Sequence, residues 1–145
     1  MTMTNTKEPS VDLRRLDRLV GTWQVTGGAN GTVRFEWLEG GFFLMQRFDF
    51  VHGDHRVKGI ELIGHLQSYN APRSEDVRSR IYDSEGNTFE YTYALVGDTL
   101  TIWSGERGSS AYYQGTFSAD GNTCTGGWVF PGGGGYSTVM TRLEA

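Results

Sequence analysis

The chain has 145 residues, with 21 Gly, 8 Phe, 7 Tyr and 4 Trp against 3 Pro and one Cys, and its 13 basic and 17 acidic residues leave a net charge of −4. That length suits a single domain. The lone Cys124 excludes an intrachain disulfide or a Cys-based zinc cluster, and the acidic balance speaks against a nucleic-acid partner, which wants a basic face.

Glycine at about twice its usual frequency, with abundant aromatics and no collagen period, predicts many short strands joined by tight turns. Residues 1–9 read as a disordered tail. The opening MTMTNTKEPS has no apolar core for a signal peptide, and no apolar run approaches the roughly 20 residues of a membrane span. A cytoplasmic protein with no membrane insertion is therefore expected. Ser10 reads as the N-cap of a short helix with Leu13, Leu16, Leu19 and Val20 on one face, ended by Gly21.

Everything beyond Gly21 has strand period. Thr22–Thr26 leads to Asn30-Gly31, a hairpin signal, and Val33, Phe35 and Trp37 then alternate with Arg34 and Glu36. After Gly40-Gly41, Phe42, Leu44, Gln46, Phe48 and Phe50 share a face, with Phe43, Met45 and Val51 opposite. His52-Gly-Asp-His55 is a turn. Ile60, Leu62, Gly64 and Leu66 follow on one face, with Glu61, Ile63 and His65 on the other. Beyond the polar loop 69–76, strands are expected at Val77–Ser84, Phe89–Leu95, Leu100–Trp103, Tyr112–Phe117, Cys124–Phe130 and Tyr136–Leu143. No helical stretch interrupts them, so parallel βαβ units are excluded. Short consecutive turns favour an all-β, closed or nearly closed up-and-down antiparallel barrel of 8–10 strands spanning 10–145, with the helix plugging one end.

Pointing the more apolar face of each strand inward gives a lumen lined by Phe35, Trp37, Phe48, Phe50 and Leu62, with Gln46, Tyr91 and Tyr93 as polar groups. Tyr113 and Trp128 extend the aromatic surface. Ten strands enclose more space than eight, which already hold one small ligand. Asp83 has two readings. It either faces the lumen as an orienting group or general base, or closes the Asp83–Asn87 turn by accepting from backbone amides. His65 is a second acid–base candidate, about 13 Å along the strand from Glu61 and so dependent on a neighbouring strand for any partner. His52, Asp54 and His55 lie at a hairpin tip with no metal-ligand spacing. The Gly132–Gly135 run lacks the Lys and the following helix of a phosphate loop. No metal and no cofactor are expected.

The segment Leu16–Trp23, LDRLVGTW, takes a helix straight into Gly-x-Trp on the first strand. It resembles the entry motif of lipocalins and related calycin barrels. EWLEGGFFLMQRFDF, GIELIGHLQSYN, RIYDSEGN and DTLTIWSGE, in that order, resemble a bacterial family of small lipocalin-like proteins of unknown function. The resemblance implies the barrel, and an Arg of the last strand packed over the Trp, for which Arg142 is the match. Nitrobindin-type haem barrels share the GTW entry, but their Gly-x-Gly continuation and a His on the C-terminal strand are absent here.

Two functional readings follow. The first is binding of a small hydrophobic or aromatic molecule by Phe35, Trp37, Gln46, Phe48, Phe50, Leu62, Tyr91, Tyr93, Tyr113 and Trp128. The second is a cofactor-free isomerase, cyclase or dehydratase using Asp83, His65 and Tyr91 in the same cavity. A third use is a homodimer through the outer face of Phe43, Met45 and Val51.

Overall fold

Backbone groups in a chain this rich in strands must all find partners, and an open meander leaves two edges without them. The computed structural model, which describes residues 7–144, solves this by closure. Ten antiparallel strands run β1 Gly21–Gly27, β2 Asn30–Trp37, β3 Phe43–His52, β4 His55–Gly64, β5 Val77–Asp83, β6 Thr88–Val96, β7 Thr99–Ser104, β8 Tyr112–Phe117, β9 Thr123–Val129 and β10 Tyr136–Glu144. Each pairs with the next, and β10 pairs with β1 to complete an up-and-down barrel. No helix among the described residues is long and apolar enough to cross a membrane.

Of the expected N-terminal tail, residues 1–6 lie outside the described residues. Lys7–Pro9 are docked on the loop between β4 and β5, where Arg73 donates to the Glu8 carbonyl at 2.8 Å and the Lys7 ammonium reaches the Gln67 side chain. The helix begins where Ser10 predicts. Its Oγ accepts the Leu13 N–H at 3.0 Å, and one α-helical turn, α1 (Val11–Arg14), tightens into a 3-10 segment, Arg15–Leu19. Leu13, Leu16 and Leu19 are all buried in one end of the barrel.

At that closed end Leu44, Ile63, Leu95, Phe117 and Cys124 are buried in one cluster with the helix leucines. Trp23 is wholly buried and its indole N–H donates to the Leu19 carbonyl at 2.8 Å. A register shift between Thr22 and Trp23 sets Arg142 of β10 opposite Trp23. The guanidinium stacks 4.1 Å from the indole and donates to the Val20 and Arg18 carbonyls at 2.5 and 2.8 Å. One side chain thus ties the last strand to the helix exit and covers the Trp.

Two in-strand glycines have a specific cause. Gly115 and Gly126 face each other across β8 and β9. A Cβ on Gly115 would lie 2.3 Å from the Tyr113 hydroxyl, so this glycine makes room for Tyr113 to lie across the wall and reach Cys124 Sγ at 3.6 Å. A Cβ on Gly126 would meet the Gln114 carbonyl oxygen at 2.1 Å and the Gly115 Cα at 2.5 Å, both backbone atoms that cannot turn aside. Gly126→Ala is therefore expected to destabilise by about 3 kcal/mol, the upper part of the range for overpacking. Chemical denaturation of the variant checks this, and a loss below about 1 kcal/mol would refute the close approach.

Candidate functional site

The alternation of side chains along each strand points one set into the barrel. Above the packed floor this set leaves a cavity of about 410 Å³. Leu19, Val33 and Leu100 lie at its base, and its walls carry Phe35, Phe48, Tyr91, Tyr113 and Trp128. Its mouth is the end bearing the 27–30, 52–55, 83–88 and 129–136 turns, where Phe50, Phe89, Phe130 and Tyr136 form the rim. The aromatic rings brace one another. Trp128 stacks on Phe130 with centroids 5.9 Å apart and meets Tyr91 and Tyr113 at 5.8 and 5.7 Å in tilted contacts. Phe48 stacks on Phe50 at 5.8 Å. Such contacts hold a wall in shape without a guest to support it.

One polar cluster interrupts this apolar surface. Glu61 of β4 is 1% exposed and borders the cavity. Its carboxyl receives Gln46 Nε2 from β3 at 2.6 Å and Ser79 Oγ from β5 at 2.6 Å. The Tyr93 hydroxyl of β6 is shared between both carboxyl oxygens at 2.8 and 2.9 Å. Four adjacent strands therefore contribute to one group. Burial pushes the Glu61 pKa up, and the donors from Ser79, Tyr93 and Gln46 offset only part of that shift. Burial also raises Tyr91, to about 12, with the Glu61 charge as a further cause, and raises Tyr93 well above the usual phenol range. Both tyrosines carry their protons at neutral pH, and the Tyr93 hydroxyl donates to Glu61.

Of the residues expected to line the lumen, Phe35, Gln46, Phe48, Phe50, Tyr91, Tyr93, Tyr113 and Trp128 do so. Trp37 shares their inward face but lies too near the closed end. Its indole N–H donates to Asp17 of the 3-10 segment at 2.8 Å, so it clamps the plug from the end of β2. Leu62 is a correction of face. It pairs with Met45 and Arg80 on the outer wall, half-buried, while Val57, Glu61 and Ile63 point inward. The face of β4 that carries Ile60 and Leu62 is the outer one, and the inward carboxyl of Glu61 finds three donors on neighbouring strands.

The acid–base candidates also part company. Asp83 lies at the cavity rim with its carboxylate turned to the hairpin, accepting the Glu85 and Asn87 N–H groups, each at 2.9 Å. Desolvation pushes its pKa up, but the Asn87 and Glu85 donors and the nearby His55 outweigh it, and the net shift is downward. It is a standing anion that closes the Asp83–Asn87 turn, the second of its two expected readings, and the general-base reading does not hold. His65 follows the last residue of β4 at the closed end. Its Nδ1 lies 2.7 Å from the Ser74 carbonyl and its Nε2 2.7 Å from Ser10 Oγ. With the proton on Nδ1, the ring donates to the loop and accepts from the helix cap. It secures the plug and does not border the cavity.

Glu61 is the residue that face counting missed, although a signal for it was present. The turn His52-Gly-Asp-His55 pairs His52 with His55, and counting back along both strands sets Gln46 opposite Glu61. Gln46, Ser79 and Tyr93 are polar groups that need a partner once buried, and Glu61 is that partner. Among the described residues no group of three or more His, Cys, Asp or Glu side chains is placed to hold a metal ion. No protein-family model matches the chain, and a search of curated proteins finds no relative.

Proposed function

We propose that this protein binds a small apolar or aromatic organic molecule inside the barrel, oriented by the Glu61 cluster. The observation that carries the reading is a cavity of about 410 Å³, open at one end and walled by mutually braced aromatic rings, with one buried polar cluster. Its size falls within the usual range for small-molecule sites, which pair apolar walls with a few fixed polar groups. A lipocalin-like kinship belongs to the same proposal. What supports it is the passage from helix to strand at Gly21-x-Trp23 and the Arg142 guanidinium over the Trp23 ring.

The test is a fluorescence titration with the neutral dye N-phenyl-1-naphthylamine. A saturable, one-to-one rise in dye emission is expected. Val57→Trp, which fills the rim, should weaken binding about tenfold by occupying the guest's space. His65→Ala, outside the cavity, should leave it unchanged. Dye emission that never saturates, or that ignores Val57→Trp, would sink the reading.

A second reading has an observation of its own. A carboxyl whose pKa is raised by burial, bonded to a tyrosine inside an apolar cavity, is suited to holding and passing a proton. This supports a cofactor-free isomerase, cyclase or dehydratase in which Glu61, in place of Asp83 and His65, is the acid–base group. Its signature is turnover lost in Glu61→Gln while dye binding persists.

A further inference from the structure

The charges of the cavity wall are one-sided. Glu61 and Asp83 are its carboxyls, and no Lys, Arg or His is among the residues that line it. The donors on Glu61 are an amide, an alcohol and a phenol, all neutral. They bring three protons to a group with about four acceptor positions. They stabilise a carboxylate but supply no countercharge, and an uncompensated buried charge is costly. Gln46 donates through its amide nitrogen, which leaves its oxygen as a second acceptor beside the carboxyl. A carboxylate guest would meet buried acid with no cation to receive it. A guest that brings a positive charge meets a carboxyl, an amide oxygen and the faces of aromatic rings, to which cations are drawn.

We propose that the guest of this lumen is an apolar organic amine, its ammonium held by Glu61 and the Gln46 amide oxygen and its body packed against Phe48, Tyr91 and Trp128. The proposal rests on the binding reading above and names the chemical class of the ligand. It also predicts a proton count. Where the empty lumen holds Glu61 protonated, as its burial favours, seating an ammonium expels that proton. Amine affinity then rises with pH up to the folded pKa of Glu61, levels off, and falls where the free amine loses its own charge. The other titratable groups facing Glu61 are Tyr91 and Tyr93 on β6 and Tyr113 on β8, with Asp83 at the rim of β5 and Tyr136 on β10. Burial raises all four phenols, so they stay protonated through this range.

Three probes sharing one aromatic body separate the outcomes: 1-naphthylmethylamine, 1-naphthalenemethanol and 1-naphthoic acid, titrated calorimetrically against the full chain in two buffers of different ionisation enthalpy. The amine should bind at least about tenfold tighter than the alcohol, a charged hydrogen bond against a neutral one, and the acid should bind weakest. The amine's heat should differ between buffers through the released proton, whereas the alcohol's should not. In Glu61→Gln the amine should fall to the level that the alcohol shows in the same variant, and a near-ultraviolet circular dichroism spectrum matching the wild type's checks that the aromatic lumen is intact. If the acid binds as tightly as the amine, or the amine's advantage survives in Glu61→Gln, the amine proposal fails while the binding reading stands. If none of the three binds, both fail.

Discussion

Trp23→Ala is expected to cost about 4 kcal/mol, within the range for truncating a buried aromatic. The indole is wholly buried between the helix and the barrel floor, so the substitution leaves a void that rigid strands cannot close. It also removes the donor to the Leu19 carbonyl. Arg142→Ala should cost less, about 2–3 kcal/mol, because its half-buried guanidinium loses charged bonds to backbone carbonyls that water can partly replace. The two are coupled through the stack, and a double-mutant cycle should return about 1 kcal/mol of interaction energy. Urea denaturation provides all four free energies. A Trp23→Ala loss below about 1 kcal/mol, or additivity within error, would refute the packed end.

The second large effect is a pH dependence of stability set by Glu61. Its pKa in the folded protein lies above the ordinary value of 4.5, with burial as the main cause. Below 4.5 the carboxyl is protonated in both states and the native protein bears no desolvation penalty. Between 4.5 and the raised folded value the native state holds a proton that the unfolded chain has released, so stability falls as pH rises. The slope from one such proton reaches at most about 1.4 kcal/mol per pH unit and vanishes above the folded value. Glu61→Gln has no proton to release and should lack this component. The stability difference between wild type and variant, measured upward from pH 4.5, should therefore move against the wild type until it levels off at the folded pKa of Glu61. A difference that is flat with pH, or that moves the other way, would overturn the assignment of Glu61 as a buried acid.

The Glu61 slope and the Trp23 contact also mark two kinds of legibility. Trp23, Gly21 and Arg142 were readable because a helix running into Gly-x-Trp is a local pattern, and its distant partner was supplied by resemblance. Glu61 was harder. A rule that turns the apolar face inward assigns Ile60 and Leu62 to the lumen, yet in β4 those side chains are half-buried on the outer wall. The rule prices a buried carboxyl as if it were alone. Three donors from β3, β5 and β6 change that price, and they come together only when four strands are in register. Trp37 shows a further limit. Period-two alternation assigns its face correctly, but depth along the barrel depends on where the helix enters, and Trp37 bonds the plug instead of lining the cavity.

The sequence by itself determined the all-β class, the strand and turn positions, the capped helix and most of the lumen's aromatic residues. These follow from local quantities: alternation, turn chemistry and a single N-cap. The register in which β10 meets β1, the split of the lumen into packed floor and open cavity, and the Glu61 cluster were decided by tertiary structure. Each depends on contacts between residues far apart in the chain, and the register that creates them is set by the whole barrel at once.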